Sequence, residues 1–246
     1  MKKIYLSVVI PAYNESKNIT NTLLDIDHYL SKKEYSYEIL VVNDGSKDDT
    51  VKVVEKVGGL VKNLRIIDNQ INHGKGWVVR QGMLKSLGQI RLFMDADNAT
   101  TINHFEKMIP LFEQGHQVVI GSRDSKDVTG ARQTVAQAWH KRLMGNMANI
   151  LIQILAVPGI WDTQCGFKAF TAEVAEDVFK RSLIDRWGFD IEALALAKKL
   201  NYKIKIIPVN WVNNPNSRVT LKGYLNTFIE LFKVRWNLII GKYDKR

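Results

Sequence analysis

Leu92-Phe93-Met94-Asp95-Ala96-Asp97 is the stretch from which the fold can be read. An apolar run ends in two carboxylates, and this pattern predicts a buried strand that presents acidic groups at the edge of a sheet. In open α/β sheets, ligands bind at that edge. Two carboxylates at one place repel each other unless a cation lies between them, and oxygen ligands suit Mg²⁺ or Mn²⁺. Taken alone, Asp-X-Asp is a weak motif, and a simple acidic turn is the alternative interpretation.

Strand and helix patterns alternate on both sides of this stretch, which predicts an α/β fold with a doubly wound, mostly parallel sheet flanked by helices. The sequence contains no internal repeat and no low-complexity linker, so we expect residues 1–246 to form a single domain. The predicted strands are Leu6–Ile10, Glu38–Val42, Leu64–Ile67, Ile90–Met94, Gln117–Gly121 and Lys203–Val209; the predicted helices begin near Asn18, after Asp48 or Asp49, at Gly74 and near Asn103.

Charge and cysteine content restrict the class of protein. The formal net charge is +10, which indicates an anionic partner such as a nucleotide, a nucleic acid or an acidic membrane surface. The chain has one cysteine, Cys165, so an internal disulfide is excluded and a reducing compartment is favoured. The apolar run Ile4–Ile10 after Lys2-Lys3 stops at Pro11 without a cleavage site, and we interpret it as a strand rather than a signal peptide. These features predict a cytoplasmic protein.

Two segments of the C-terminal half have the pattern of amphipathic helices. Residues 143–161 carry no charged side chain and follow Lys141-Arg142, while residues 221–243 combine Trp, Phe and Leu at helical spacing with Lys and Arg. Basic amphipathic helices of this kind bind anionic lipid surfaces, although ordinary packed helices are the alternative. We therefore expect 132–161 and 221–243 to be membrane-interface helices, and the chain to be peripheral on the cytoplasmic face of a membrane.

Polar residues follow several predicted strands and would meet at one sheet edge. Tyr13 and Glu15 suit a planar base and a ribose hydroxyl, and Asp44 adds a third carboxylate. Lys75 lies in a glycine-containing turn before a helix N-terminus, where diphosphate oxygens bind favourably. The sequence contains neither a Walker loop nor Gly-X-Gly-X-X-Gly after the first strand. These groups together favour a site for a metal-bound nucleoside diphosphate.

Taken in order, these motifs resemble the family 2 glycosyltransferases of the GT-A fold, and among them the dolichyl-phosphate β-glucosyltransferases and related polyprenyl-phosphate hexose synthases. Asp95-Ala96-Asp97 occupies the place of that family's metal-binding Asp-X-Asp. The other blocks that carry the resemblance are residues 8–15, 41–48, 72–76, Gly121-Ser122-Arg123, Asp162–Lys168 and Arg186–Glu192.

The resemblance implies an inverting, metal-dependent transfer of a hexose from a nucleotide sugar, with UDP-glucose favoured, to a polyprenyl phosphate. Asp95 and Asp97 would bind Mg²⁺ or Mn²⁺ on the donor diphosphate. Arg218 lies beyond the resemblance, in a predicted loop after the last strand, where it could fold over the donor phosphates; a solvent-exposed turn is the alternative. Asp190 would act as a base or orient the acceptor, with a helix N-cap as the alternative. The nucleoside would be held by Pro11, Ala12, Tyr13, Glu15 and Asp44, and the diphosphate by Lys75. By the resemblance, Arg123 and Lys168 would lie near phosphates of the donor or the acceptor. Arg132 belongs with Arg123 to a basic sequence cluster ahead of the uncharged span, which would bind the acceptor phosphate; scattered surface charges are the alternative.

The sequence departs from the resembled branch at two places. That branch usually carries Gly after the second aspartate, whereas Asn98 stands here. Its eukaryotic members carry an N-terminal membrane anchor that this sequence does not contain, so membrane attachment would depend on the amphipathic segments or on a partner.

Four other functions remain open from the sequence. GDP-mannose could be the donor, or a hydroxyl group in polysaccharide or glycolipid synthesis could be the acceptor. A nucleotidyltransferase would also use carboxylates and a metal, but it would release pyrophosphate. A nucleic-acid-binding module would account for the positive charge, but acidic groups at the ligand edge argue against it, so no nucleic-acid partner is expected.

Overall fold

A computed structural model describes residues 3–133, 148–212 and 221–245, with only the backbone of 132, 133, 221–225 and 245. The order of elements follows the alternation expected from the sequence. The strands are β1 (Leu6–Ala12), β2 (Tyr37–Asp44), β3 (Leu64–Asn69), β4 (Ile90–Met94), β5 (Val118–Ser122), β6 (Arg132–Gln133), β7 (Phe167–Thr171), β8 (Ile204–Pro208) and β9 (Asn210–Trp211). The helices are α1 (Ile19–Leu30), α2 (Thr50–Gly58), α3 (Lys75–Lys85), α4 (Ile109–Glu113), α5 (148–155), α6 (Ala172–Arg181), α7 (Phe189–Lys199) and α8 (Leu221–Ile239), with 3₁₀ helices at Ile102–Lys107 and Lys242–Lys245.

Seven strands form one sheet in the order β3-β2-β1-β4-β7-β5-β8. All neighbouring pairs are parallel except those made by β7, which runs antiparallel to both β4 and β5. The strands β1, β2, β4 and β5 are buried along their whole length, because helices cover both faces of the sheet. The predicted mostly parallel α/β sheet is confirmed, and the carboxyl ends of β1, β2 and β4 lie side by side at one edge.

Two apolar cores lie on the two faces of this sheet. Side chains alternate along each strand, so Val9 and Phe93 pack into one core while Val8 and Leu92 pack into the other. The first core is closed by α3, α6 and α7, and the second by α1, α2 and the 102–112 segment. A sheet supported on both faces provides a rigid base for the loops at its edge.

Three details differ from the sequence-based prediction. Arg132 and Gln133, expected to begin a membrane-interface helix, instead form β6, which pairs with β9. The helix expected from Asn103 to Glu113 is divided into a 3₁₀ turn and the short α4, because Pro110 lacks a backbone N–H and cannot continue an α-helix from the preceding turn. The antiparallel strand β7 was not predicted, since its sequence, Phe167-Lys168-Ala169-Phe170-Thr171, places a lysine in the centre of a buried strand.

The C-terminal amphipathic pattern is an α-helix, as expected. α8 buries Leu231 and Val234 on its inner side and exposes Phe232 and Trp236 on its outer side. Of the other amphipathic segment, residues 134–147 lie outside the described part of the chain, and 148–155 are helical. Within the ranges that the structure describes, none of the helices has the length and apolar character needed to cross a membrane.

Candidate active site

The loops that follow β1 and β2 are joined by hydrogen bonds. The backbone N–H of Asn14 donates to Ser46 Oγ at 2.9 Å, and the N–H of Lys47 donates to Asn14 Oδ1 at 2.7 Å. Glu15 N–H donates to Thr50 Oγ1 at 2.8 Å, which connects the same loop to the start of α2. These contacts hold the predicted nucleoside-binding segment in one conformation at the sheet edge.

Asp44 ends β2 and is buried against the turn that precedes α3. Its carboxylate accepts hydrogen bonds from the backbone N–H of His73 at 2.7 Å, from that of Gly74 at 3.0 Å, and from Asn72 Nδ2 at 2.9 Å. Burial raises the pKa of Asp44, and the two backbone N–H groups partly offset that effect. Asp44 therefore orders the 72–74 loop that directly precedes Lys75.

The acidic pair after β4 has a cationic partner. Lys75 Nζ donates to Asp95 Oδ1 at 2.6 Å. Burial alone would lower the pKa of Lys75, but the negative charges of Asp95 and Asp190 outweigh it and raise the pKa. Burial, followed by the charge of Asp95, raises the pKa of Asp97. The edge of β4 is thus an anionic position that one lysine partly neutralises.

Gly166 lies directly against this acidic pair. Its carbonyl accepts the N–H of Asp95 at 3.2 Å, and a Cβ at Gly166 would lie 2.0 Å from Asp95 Oδ2. A side chain at position 166 would have to displace the Asp95 carboxylate, so glycine allows the close approach and leaves that carboxylate in place. The contact joins residues 162–168, one of the motif blocks, to the strand end that carries the two aspartates.

Lys168 and Asp190 form a buried ion pair beside this edge. Lys168 Nζ donates to Asp190 Oδ1 at 2.6 Å and to the carbonyl of Cys165 at 2.5 Å, and Lys168 is 0% exposed. Burial raises the pKa of Asp190, and Lys168 partly offsets that effect. The N-cap of α7 is Gly188, so the alternative of Asp190 as a cap is wrong. A direct contact between Lys168 and an acceptor phosphate would require this pair to open.

Arg123 is held by a carboxylate that the sequence did not single out. Its Nε and Nη2 donate to the two oxygens of Asp162, each at 2.8 Å, and its backbone N–H donates to the same carboxylate at 2.8 Å. Burial would raise the pKa of Asp162, but the charge of Arg123 lowers it. The guanidinium also lies 5.3 Å from the ring centre of Trp211. Arg123 is therefore fixed between β5 and the 162–166 segment.

The structure brings most of the predicted residues to one edge. Pro11 and Ala12 are buried at the end of β1, and Tyr13 follows them with its ring partly exposed. Arg132 lies in β6, but its side chain is outside the described part of the chain, and so is Arg218.

Several residues around the site were not found from the sequence. Trp187 lies with its ring centre 5.7 Å from Lys75 Nζ, and Asp162 fixes Arg123. Glu192 accepts the N–H groups of Leu183 and Ile184 at 2.8 and 3.0 Å. Glu192 has a local signal, because it is an acidic residue within an apolar helical stretch. Trp187 and Asp162 have none, because their partners Lys75 and Arg123 are distant in sequence.

The arrangement suits an anionic ligand that carries its own cation. Asp95 and Asp97 supply oxygen atoms, and Lys75 supplies an ammonium at the same place. The described residues include no group of three or more His, Cys, Asp and Glu side chains that could hold a metal by themselves. Two carboxylates together with ligand phosphate oxygens are the usual protein environment of Mg²⁺ in nucleotide sites.

Comparison with known proteins identifies close sequence relatives. Residues 7–179 match the model of glycosyl transferase family 2. The sequence is 34% identical over 252 residues to a dolichyl-phosphate β-glucosyltransferase of Dictyostelium discoideum, an alignment that covers 97% of this chain and 76% of the relative. It is 33% identical over 255 residues to the human dolichyl-phosphate β-glucosyltransferase, covering 97% of this chain and 77% of the relative.

Solved structures share the fold at lower sequence identity. Glucosyl-3-phosphoglycerate synthase from Mycobacterium tuberculosis in complex with UDP superposes with a TM-score of 0.68 at 19% identity, over 94% of this chain and 80% of that chain. The same enzyme with Mn²⁺, UDP-glucose and phosphoglyceric acid gives a TM-score of 0.67 at 18% identity, over 94% and 80% of the two chains. The predicted GT-A fold is confirmed.

Proposed function

This chain belongs to glycosyl transferase family 2, and from that membership we propose that it transfers a hexose from a nucleotide sugar, with UDP-glucose favoured, to a polyprenyl phosphate such as dolichyl phosphate. The observation that carries the proposal is the acidic pair Asp95 and Asp97 with Lys75 Nζ 2.6 Å from Asp95, at the carboxyl edge of the sheet. Relatives named dolichyl-phosphate β-glucosyltransferase align with 94–98% of the chain.

The donor would lie across the carboxyl ends of β1, β2 and β4. Pro11, Ala12, Tyr13, Glu15 and Asp44 would surround the nucleoside. Asp44 would contact the nucleoside and also order the 72–74 turn. Lys75 and Arg218 would contact the diphosphate. A ligand that bridges three strand ends fits the position at which open α/β sheets bind nucleotides.

Asp95 and Asp97 would hold a divalent cation, Mg²⁺ or Mn²⁺, together with the diphosphate oxygens. The donor set fits, because burial, followed by the charge of Asp95, raises the pKa of Asp97, so the two carboxylates disfavour each other's ionised form even with Lys75 beside Asp95. When bound, such a cation neutralises negative charge that develops on the leaving diphosphate. Lys75 would provide a second positive charge at the same oxygens.

The acceptor phosphate can act as a nucleophile without a general base. Its second pKa is about 6, so it is already anionic at neutral pH, whereas a hydroxyl acceptor has to lose a proton during the reaction. An anionic oxygen would attack the anomeric carbon from the face opposite the diphosphate, which inverts the configuration. Asp190, neutralised by Lys168, would then orient the acceptor rather than remove a proton, and Arg123 and Arg132 would attract the phosphate.

We also propose that the protein works at a membrane surface, because a polyprenyl chain keeps the acceptor in the bilayer. The cytoplasmic side is favoured by the single cysteine, which suits a reducing compartment. The outer face of α8 supports this proposal. Lys233 and Arg235 flank an apolar stripe on that face and would pair with anionic headgroups. The exposed residues of the stripe are Ile229, Phe232, Trp236 and Ile239.

The decisive experiment measures UDP release from UDP-glucose with Mn²⁺ or Mg²⁺, with and without a short polyprenyl phosphate in detergent, and identifies the glucosyl lipid by mass spectrometry. We expect release that depends on both the metal and the lipid phosphate. Turnover of GDP-mannose instead of UDP-glucose would make the enzyme a mannose synthase. Release that responds only to hydroxyl acceptors would reject the proposed acceptor.

A further inference from the structure

The turn that leads into α7 forms one wall of the candidate site. Lys75 Nζ lies 5.7 Å from the ring centre of Trp187 and 5.8 Å from that of Phe189. Asp190 follows in the first turn of the helix. The backbone of residues 187–189 therefore determines the position of two rings beside Lys75 and of the carboxylate that pairs with Lys168.

This turn is held from outside by a residue of α8. The backbone N–H of Gly188 donates to Glu230 Oε2 at 2.7 Å. A Cβ at Gly188 would lie 2.7 Å from Glu230 Cβ, so the two backbones approach as closely as glycine allows. Leu231 and Val234, on the same side of α8, are buried. The contact joins elements that are 42 residues apart in the chain.

A carboxylate at position 230 indicates a specific hydrogen-bonding role, because the position is buried. Glu230 is only 9% exposed, and burial raises the pKa of its carboxyl, while the Gly188 N–H and then the charges of Lys233 and Arg186 oppose that effect. A buried carboxylate is costly unless its oxygens are hydrogen-bonded. Within the ranges described, no lysine or arginine forms an ion pair with it. Its bond is to the N-cap N–H of α7, one of the groups that a helix leaves without an internal partner and that negative charge stabilises.

We propose that Glu230 is a positioning residue for the transfer reaction: it fixes the Trp187-Gly188 turn so that Lys75 and Asp190 keep their places in the site. Glu230 would touch neither substrate, and the inference rests on the proposed function. A displacement of catalytic groups by about 1 Å is enough to lower turnover by up to 100-fold.

The test compares Glu230→Ala with Glu230→Gln in the full chain. Alanine removes the acceptor of the Gly188 N–H, while glutamine keeps an oxygen at nearly the same place. We expect Glu230→Ala to lower kcat by roughly 10- to 100-fold, and Glu230→Gln to restore most of it. Glu230→Asp, which shortens the side chain by one methylene, should have a kcat between those of the alanine and glutamine variants. It replaces the alanine variant in the test if that variant does not fold.

Glu38→Ala is the matched control for lost stability. Glu38 is also a buried glutamate that accepts a backbone N–H, that of Leu87 at 2.6 Å, but it lies at the amino-terminal ends of the strands, away from the site. We expect this variant to lose stability and keep its kcat at temperatures where it is folded. Equal loss of kcat in Glu230→Ala and Glu38→Ala, or full kcat in folded Glu230→Ala, would reject the proposal.

Amide hydrogen exchange separates this inference from the function that it assumes, because it needs no substrate. Exchange in residues 186–191 should be faster in Glu230→Ala than in Glu230→Gln and the unmodified protein. Unchanged exchange would reject the positioning role even if the enzyme transfers hexose. Faster exchange in a protein whose unmodified form transfers no hexose would retain the structural link and reject the proposed function.

Discussion

At the scale of single residues, the turn after the acidic pair has an uncommon backbone conformation. Asn98 has a φ of 56°, in the left-handed region that few residues other than glycine adopt at low cost, and asparagine is among them. Its side chain also donates to Asp25 Oδ2 at 2.7 Å. Asparagine at position 98 therefore still permits the left-handed backbone conformation that directly follows Asp97.

The metal assignment predicts the effect of Asp97→Asn. Replacing a ligand carboxylate by an amide should lower metal-dependent hexose transfer by roughly 100-fold or more, because charge on the leaving diphosphate would then be poorly neutralised. The measurement is UDP release as a function of Mn²⁺ concentration. Asp49→Asn is a suitable control, since Asp49 is exposed and pairs only with Lys52 among the ion pairs of the described residues. Unchanged turnover in Asp97→Asn would remove the assignment.

At the scale of secondary-structure elements, long-range pairs of charged groups place the helices and loops on the sheet. Lys168 of β7 pairs with Asp190 of α7, 22 residues later, and Arg123 after β5 pairs with Asp162, 39 residues later. Buried pairs of this kind stabilise little compared with apolar residues, but removing one partner leaves an uncompensated charge. They consequently enforce a single packing of the elements around the site.

A double-mutant cycle on Lys168 and Asp190 would measure that coupling. We expect Lys168→Met and Asp190→Asn each to lower the free energy of unfolding by about 3 kcal/mol, and the double variant to lose clearly less than the sum. Urea denaturation of the four proteins gives these values. Additive losses would show that the two side chains do not interact in solution.

The Arg123–Asp162 pair predicts a specific dependence of stability on pH. The pKa of Asp162 is lower in the folded protein than its unfolded value of about 3.9. Its contribution is therefore complete above that unfolded value and is lost as pH falls through the folded pKa. The free energies of unfolding of the protein and of Asp162→Asn should differ at pH 7 and converge at an acidic pH below the folded pKa of Asp162. A separation that is the same at both pH values would contradict the assigned shift.

At the scale of the whole molecule, local patterns predicted the fold better than the site. The parallel strands were predictable because each is an apolar run that ends in polar residues, as in Leu92–Asp97. The strand β7 was not predictable, because the charge of Lys168 is tolerated in a buried strand through its contacts with Asp190 and the carbonyl of Cys165. Glu230 was missed for the same reason: its partner Gly188 is distant in sequence, and no local pattern encodes such a contact.

The outer face of α8 predicts how the whole molecule meets a bilayer. Phe232 and Trp236 are 56% and 62% exposed. Replacing both with serine should weaken binding to anionic vesicles by roughly tenfold or more, because two large apolar side chains no longer enter the interface. Cosedimentation with vesicles measures this, and UDP binding should not change. Leu60→Ser, at an exposed leucine next to α2, is the control. Vesicle binding that is equal in all three proteins would contradict a role for α8.

Cys165 lies within this packing at 0% exposure, and burial raises the pKa of its thiol to about 12. Reactivity requires an accessible thiolate, so the folded protein should resist alkylating reagents, and its rate of alkylation should follow global opening. Since the chain has no other cysteine, a cysteine introduced on an exposed surface would carry a single spectroscopic label. Cys165 can thus report global unfolding through its rate of alkylation. Two cysteines introduced on the surface could also be labelled for distance measurements without a competing exposed thiol.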